Sequence, residues 1–317
     1  MNSAIGIDVG GTKIAVGLGL PSGKQIASLE IPTHTGRLAG TSVDQIKVVT
    51  AKFIEIARQK KTKLRGIGVC IPGAVDPVKG TVPHSPNLPG WEGIPLKKIL
   101  ESKFHLPVRM ANDAKAVAVA ENVFGQGKGL QNFIYLTVST GIGSGIFSRG
   151  KLLEGASFSA GESGHMVIVS GGDPCLCGNK GCLEAYASGT AMAKFAAAEI
   201  KKGKYSKVTG LLSPGETLTA RVLGKAAKAG DVLALEAYAR GGYYLGIGLA
   251  NLLNILNPEK LILGGGVFSS APPLFFKKMM TSVRAHAWPE AFRAVKIVRT
   301  KLKGHTGALA LVFENKK

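Results

Sequence analysis

The chain has 317 residues, 45% of them hydrophobic, which suffices for two domains of ordinary size and excludes a disordered protein. Its 40 basic and 20 acidic residues give a formal net charge of +20, a bias that favours loose contact with polyanions. The cations are nevertheless scattered, with no aromatic interleaving and no helix-turn-helix or RNA-binding motif, so specific nucleic-acid binding is not expected. The start Met1-Asn2-Ser3-Ala4-Ile5 lacks the features of a signal peptide, and no run of about 18 uncharged apolar residues suggests a membrane span, so a cytoplasmic protein is expected.

In chain order, β-branched segments Ile5–Val9 and Lys13–Leu18 predict two strands joined by the turn Gly10-Gly11-Thr12. A third strand is expected over Gln25–Ile31, and the spacing of Val48, Phe53, Ile54 and Ile56 predicts a helix over Val43–Lys60. The strand Gly66–Ile71 runs into Pro72-Gly73-Ala74, and residues 76–95 read as a Pro- and Gly-rich loop. After a strand near Val108, Asn112-Asp113 opens an Ala/Val-rich helix to about Phe124, with Asp113 placed to accept from its first free N–H groups.

A second copy of the opening pattern follows: strand Phe133–Val138, glycine turn Ser139–Gly145, and a returning strand from Ile146-Phe147. This weak internal repeat predicts two related lobes with a cleft between them. Helices are expected over Leu183–Lys201 and Val232–Leu256, the latter ended by Pro258. The strand Lys260–Leu263 stops at Gly264-Gly265-Gly266, a helix starts around Pro272-Pro273, and a strand near Val295–Arg299 precedes a last helix over Thr306–Phe313. The alternation argues for an α/β fold and the hairpins for mixed sheets.

Three of the four cysteines lie in Cys175-Leu-Cys177-Gly-Asn-Lys-Gly-Cys182, with His165 ten residues upstream, a set that matches four-coordinate zinc. Gly178 and Gly181 let the backbone turn the sulfurs toward one point. His165 could instead be a satisfied polar residue, and Glu162 and Glu184, which bracket the cluster, could be surface acids. Cys70, in an apolar run, reads as a buried small residue.

Asp8-Val-Gly-Gly-Thr-Lys13 lacks the strand-to-helix setting of a Walker loop because a second strand follows. Its glycines still free N–H groups for phosphate, with a hydroxyl from Thr12 and charge from Lys13; a tight hairpin turn is the plain alternative. The further glycine-rich strand ends at Thr140-Gly141-Ile142-Gly143 and Gly264–Gly266 favour phosphate binding. Asp113 is a helix cap or a general base. Asn87 reads as a turn residue or a ligand, and Trp91 as loop packing.

Together these residues resemble the ROK family of sugar kinases and repressors, of the two-lobed actin/hexokinase-like ATPase fold with mixed sheets and a central cleft. The likeness spans essentially the whole chain, and the pattern Gly161-Glu-Ser-Gly-His165 with Cys175–Glu184 is its most specific part. The resemblance implies a small domain of residues 1–112 plus about 300–317 and a large domain of 113–299. It implies that Gly73, Asn87, Asn112, Asp113, Glu162, His165 and Glu184 hold a hexose, with Asp113 deprotonating the attacking 6-hydroxyl. Asp8, Gly10, Gly11, Thr12, Lys13, Thr140, Gly141, Gly143, Gly265 and Gly266 would serve Mg2+ and ATP. His165, Cys175, Cys177 and Cys182 would hold a structural Zn2+.

Glucose is the favoured hexose; N-acetylmannosamine, N-acetylglucosamine and fructose are the alternatives, and a homodimer or homotetramer is implied. Repressors of the family place a DNA-binding segment before the sugar module, and Asp8 stands too near the start for one, so a repressor is the less favoured reading. The basic surface also leaves open polyphosphate beside ATP, although members known for that use generally lack the cysteines.

Overall fold

A computed structural model of the chain describes residues 1–85, 88–213, 215–302 and 306–314. In chain order its elements begin with β1 (Asn2–Val9), β2 (Lys13–Gly19), β3 (Gln25–Pro32), α1 (Ala39–Gln59), β4 (Lys63–Ile71), β5 (Ala74–Asp76) and β6 (Thr81–His84). Then come α2 (Leu96–Phe104), β7 (Val108–Asn112), α3 (Asp113–Val123), β8 (Phe133–Val138), β9 (Ile142–Ser148) and β10 (Lys151–Leu152). There follow α4 (Glu184–Ala187), α5 (Gly189–Lys201), α6 (Ala220–Lys228), α7 (Val232–Leu256), β11 (Lys260–Gly264), α8 (Gly266–Ser270), α9 (Pro273–His286), α10 (Pro289–Ala294), β12 (Lys296–Arg299) and α11 (Thr306–Phe313).

The first five-stranded sheet has the order β3-β2-β1-β4-β7, and the second has β10-β9-β8-β11-β12. In the first, β1 pairs antiparallel with β2 and parallel with β4; in the second, β11 lies parallel to both β8 and β12. The two orders match strand for strand, which gives the weak sequence repeat a structural meaning. Two compact units divide the chain: residues 1–131, 145–161 and 300–317 in one, 132–144 and 162–299 in the other.

In the first unit the apolar faces of β1, β2 and β4 bury Ile5, Ile7, Val16, Ile67 and Val69 against Ile46, Val49 and Phe53 of α1. On the other face α11 lies so close that a Cβ at Gly68 would stand 1.8 Å from the Ala308 carbonyl oxygen, so only glycine fits. Arg109 of β7 donates to the carbonyls of Leu311 and Glu314, both at 2.9 Å, satisfying the end of that helix.

Several elements differ from the sequence expectation. The stretch 76–95 opens on a small β5–β6 hairpin that begins at Ala74, whose strands are too short for periodicity to show. The helix expected over 183–201 is two helices, broken at Ser188, whose extended backbone (φ −73°, ψ 161°) lets its hydroxyl cap Ala191 N–H. The returning strand starts at Ile142, so Gly143 and Gly145 belong to β9 and the second glycine turn is only Ser139–Gly141. No helix among the described residues is long and apolar enough to cross a membrane.

Candidate active site and metal centre

In the first unit the β1–β2 turn is closed by a 2.9 Å hydrogen bond from Gly10 N–H to the Lys13 carbonyl. Thr33 fastens it from β3's side, its hydroxyl donating to Gly10 O at 2.7 Å and its N–H to Thr12 O at 3.1 Å. Gly11, Thr12 and Lys13 are exposed, and the Lys13 ammonium pairs with Glu30 at 2.7 Å. Asp8, next to the last residue of β1, stands opposite Cys70 of β4, and Cys70 in turn stands opposite Ala111 of β7.

This register gathers the carboxylates at one end of the sheet. The buried Cys70 thiol is pushed well above its ordinary pKa first by burial and then by the negative charges of Asp8 and Asp113. It is 4% exposed and reads, as expected, as packing. The cap of α3 is Asn112 rather than Asp113: the Asn112 Oδ1 accepts from Ala114 N–H at 2.9 Å and Lys115 N–H at 3.3 Å. Its Nδ2 donates to Gly73 O at 3.1 Å, and Gly73 has a φ of 94° that suits glycine. Asp113 is therefore the first helical residue, exposed, with Oδ1 accepting from Ala114 N–H at 2.8 Å. Both side chains thus meet the first amides of α3, Asn112 as the cap and Asp113 from the first turn. Asn87 lies outside the described residues. Trp91 is 1% exposed and donates its indole N–H to His34 O, a packing role as expected.

Sequence reasoning passed over Lys115, a buried residue whose ammonium donates to Phe158 O at 2.7 Å. Phe158 has a φ of 60°, rare for a bulky side chain, so this bond holds a strained loop turn. Only the helical position of Lys115, between small residues on an otherwise apolar face, hinted at its burial.

In the second unit the turn Ser139–Gly141 is closed by Ser139 N–H to Gly141 O at 2.9 Å. The N-terminal amides of α5 clasp it, with Gly189 N–H donating to Ser139 O and Thr190 N–H to Thr140 O. Glu184 joins it too, Oε2 accepting from Ile142 N–H at 2.7 Å. A Cβ at Gly141 would come within 2.5 Å of that oxygen. Gly265, at φ 98°, lies between β11 and α8, and a Cβ there would be 2.2 Å from Val138 O. A groove of about 770 Å³ opens between these glycine ends, with Thr140, Thr190, Gly266 and the cations Lys194, Arg221 and Lys225 among its walls. The sequence reading missed α6, which supplies Arg221 and Lys225; Thr219, whose hydroxyl caps Val222 N–H, was the available signal.

The cysteine loop belongs to the same unit. A one-turn 3-10 helix, Ser163–His165, follows Glu162, and the buried Ser163 hydroxyl bonds that of Ser144 at 2.7 Å. Isolated bridges join Val167 to Cys182 and Pro174 to Lys180, while Gly178 and Gly181 take φ of 92° and 81°. The ligand atoms of His165, Cys175, Cys177 and Cys182 all lie within 4.8 Å of one another. Cys175 Sγ is 3.7 Å from His165 Nδ1, and Cys177 Sγ is 3.7 Å from Cys182 Sγ.

Zinc–sulfur bonds of about 2.3 Å at tetrahedral angles place sulfurs about 3.8 Å apart, so these donors fit zinc. A disulfide, at about 2.05 Å, does not match that spacing, and all four thiols are free. Burial and the neighbouring sulfurs push the Cys182 thiol up to about 12, burial raises Cys175, and the Asn179 N–H lowers Cys177. Such crowding of anionic donors is what a divalent cation relieves. Four protein donors would leave a bound zinc no open position, the arrangement of structural rather than catalytic sites.

Two sheets of the same strand order, each opened by a strand, a glycine turn and a strand, define the actin- and hexokinase-like ATPase fold. The chain belongs to the ROK family, whose model matches residues 4–315. It is 37% identical to a glucokinase of Halalkalibacterium halodurans, over 90% of this chain and 86% of that one. It is 34% identical to a xylose repressor of Caldicellulosiruptor bescii, over 99% and 79% respectively. Among solved structures, a ROK family glucokinase from Streptomyces griseus in complex with glucose and AMPPNP matches it with a TM-score of 0.80 and 31% identity, over 98% of both chains.

Proposed function

We propose that the protein is an ATP-dependent hexose kinase that transfers the γ-phosphoryl group to a 6-hydroxyl, with glucose as the preferred acceptor. The observation that carries this reading is the division of labour at the start of α3. Asn112 caps the helix and binds Gly73, while the exposed Asp113 carboxylate, anchored through Oδ1 on the Ala114 N–H, is held at the strand end.

Asp113 acts as general base, accepting the proton of the sugar hydroxyl as its oxygen attacks phosphorus; such a base contributes about 10²–10⁴ in rate. The products are the sugar phosphate and a nucleoside diphosphate. Asn112 and Gly73 hold sugar hydroxyls in the first unit, with Asn87 in the same role. In the second unit Glu162, the Nε2 of His165 and the Glu184 carboxylate do so. The groove beside Thr140, Gly141, Gly143, Gly265 and Gly266 takes the adenine nucleotide, and the amides and charges of Gly10, Gly11, Thr12 and Lys13 meet its phosphates. Asp8 positions Mg2+, whose charge neutralises the phosphate oxygens when it is bound. Zinc supplies fixed geometry to the loop that carries His165, and no proton or phosphoryl group passes through it. A cytoplasmic homodimer or homotetramer completes the reading.

A coupled assay over glucose, N-acetylmannosamine, N-acetylglucosamine and fructose tests it, with glucose expected to give the highest kcat/KM. No glucose turnover with brisk amino-sugar turnover sinks the glucose assignment; no turnover of any sugar sinks the kinase. The 34% identity to a xylose repressor favours a second reading, a sugar-responsive regulator. A gel shift resolves it: tight, salt-resistant binding to one DNA sequence without sugar turnover establishes the regulator.

A further inference from the structure

Arg240 of α7 stands outside every motif described so far, yet three aromatic rings and a carboxylate meet it. Its guanidinium carbon lies 4.9 Å from the centre of the Tyr186 ring, 5.0 Å from Phe195 and 5.1 Å from Tyr244. Its Nη2 also donates to Asp173 Oδ2 at 3.1 Å. Tyr244 is one turn along α7, Phe195 is on α5, Tyr186 is on α4, and Asp173 is on the cysteine loop two residues before Cys175.

The loop is fastened to the same ring from its backbone. Asp173 N–H donates to the Tyr186 hydroxyl at 2.6 Å, and a Cβ at Gly172 would come within 2.0 Å of that oxygen. Tyr186 stacks on Tyr244 at 4.4 Å between centroids. Tyr186 and Glu184 share α4, a single turn of helix, so whatever fixes the ring fixes the carboxylate that grips Ile142 N–H.

We propose that Arg240 is a positioning residue that clamps the metal loop onto α4, and through α4 holds Glu184 in its sugar-binding place. The planar guanidinium does two things at once that an ammonium does less well: its face stacks on aromatic rings while its edge reaches the Asp173 carboxylate. An exposed ion pair alone contributes little; here the Asp173 carboxylate meets a guanidinium already held by three rings. The clamp on the metal loop is independent of the proposed activity, whereas its effect on Glu184 rests on the hexose kinase reading.

The test uses the purified zinc-loaded protein, with release of zinc to a chromophoric chelator as the first readout. Arg240→Met should release zinc about tenfold faster or more, the scale on which partners behind metal ligands act. Arg240→Lys should fall between Arg240→Met and the parent. Tyr186→Phe keeps the ring but removes the acceptor for Asp173 N–H, and should give a smaller acceleration; it decides the matter if Arg240→Met does not fold. The second readout is the split of KM values: the hexose KM should rise about fivefold while the ATP KM stays within about twofold. Unchanged zinc release in the variants that fold overturns the clamp. Faster release with hexose and ATP KM rising in parallel overturns the link to Glu184, since general loosening would do the same. Faster release in a protein that phosphorylates no sugar upholds the clamp and fails the kinase reading instead.

Discussion

The two glycine turns occupy equivalent places in two sheets of the same strand order, yet they are built for different conditions. The first, between β1 and β2, is exposed from Gly11 to Lys13 and is tied by its own hairpin and Thr33. The second, between β8 and β9, is held from outside by the first amides of α5 and by Glu184. Phosphate-binding turns need donors aimed in advance, because reorienting them at the moment of reaction costs rate. Under the proposed function, the bracing of the second turn would serve that need. The first carries its charge on Lys13, whose partner Glu30 is itself half exposed, so an anionic ligand can compete for the cation at little cost.

The largest effect that bears on this contrast is on the metal loop behind the second turn. Cys177→Ser alters an exposed ligand and should abolish stoichiometric zinc, because such sites contribute on the order of 10 kcal/mol to local folding. Metal analysis with a sugar titration checks it, and retained zinc would end the argument that the loop is metal-built. Next, Asp113→Asn should lower kcat by about 10²–10⁴ while the melting curve is unchanged; full activity would remove the base assignment.

Gly141→Ala pushes on a Glu184 oxygen that already accepts a hydrogen bond, so it should cost about 1 kcal/mol and raise the hexose KM together with the ATP KM. Gly10→Ala meets only the Lys13 carbonyl at 3.0 Å and should act mainly on the ATP KM. If Gly10→Ala raises the hexose KM as much as Gly141→Ala does, the two turns are not specialised.

Asp231 supplies the smallest effect and a control that touches neither turn. Burial opposes its charge, but donors from Ala234 N–H, Lys207 N–H and the Ser206 hydroxyl outweigh that and hold the carboxyl below its ordinary range. A lowered folded pKa stabilises above the unfolded carboxylate's value and is lost as pH falls through the folded one. Asp231→Ala should therefore cost about 1 kcal/mol at neutral pH through loss of the α7 cap, with the gap closing in acid and both KM values unchanged. Thermal melts from neutral pH into acid read this directly.

What the sequence disclosed was local. The cysteine spacing, the glycine turns and the Asn112-Asp113 helix start each fit within a dozen residues, and the fold gathers the cysteines with His165, closes the turns and starts α3 at Asp113. What it concealed needed a partner far along the chain or a single break. Ser188 splits a continuous apolar pattern because its hydroxyl serves better as a cap than as a helix interior residue. Arg240 is 67 residues from Asp173 and reads, in isolation, as one more charge on an amphipathic helix. Glu184 was legible as an acid beside the cysteines; its grip on Ile142, 42 residues earlier, was not.

The bare glycines of the first sheet carry one more consequence, for the order in which the protein is made. α11 fills the groove over Gly6 and Gly68, and Arg109 waits for its last carbonyls. Residues 162–299, most of the second unit, are synthesised between the body of the first unit and this helix. At about 5–20 residues per second a ribosome takes on the order of ten seconds to span that interval. For that time the nascent first unit presents an apolar sheet face with its cover still untranslated.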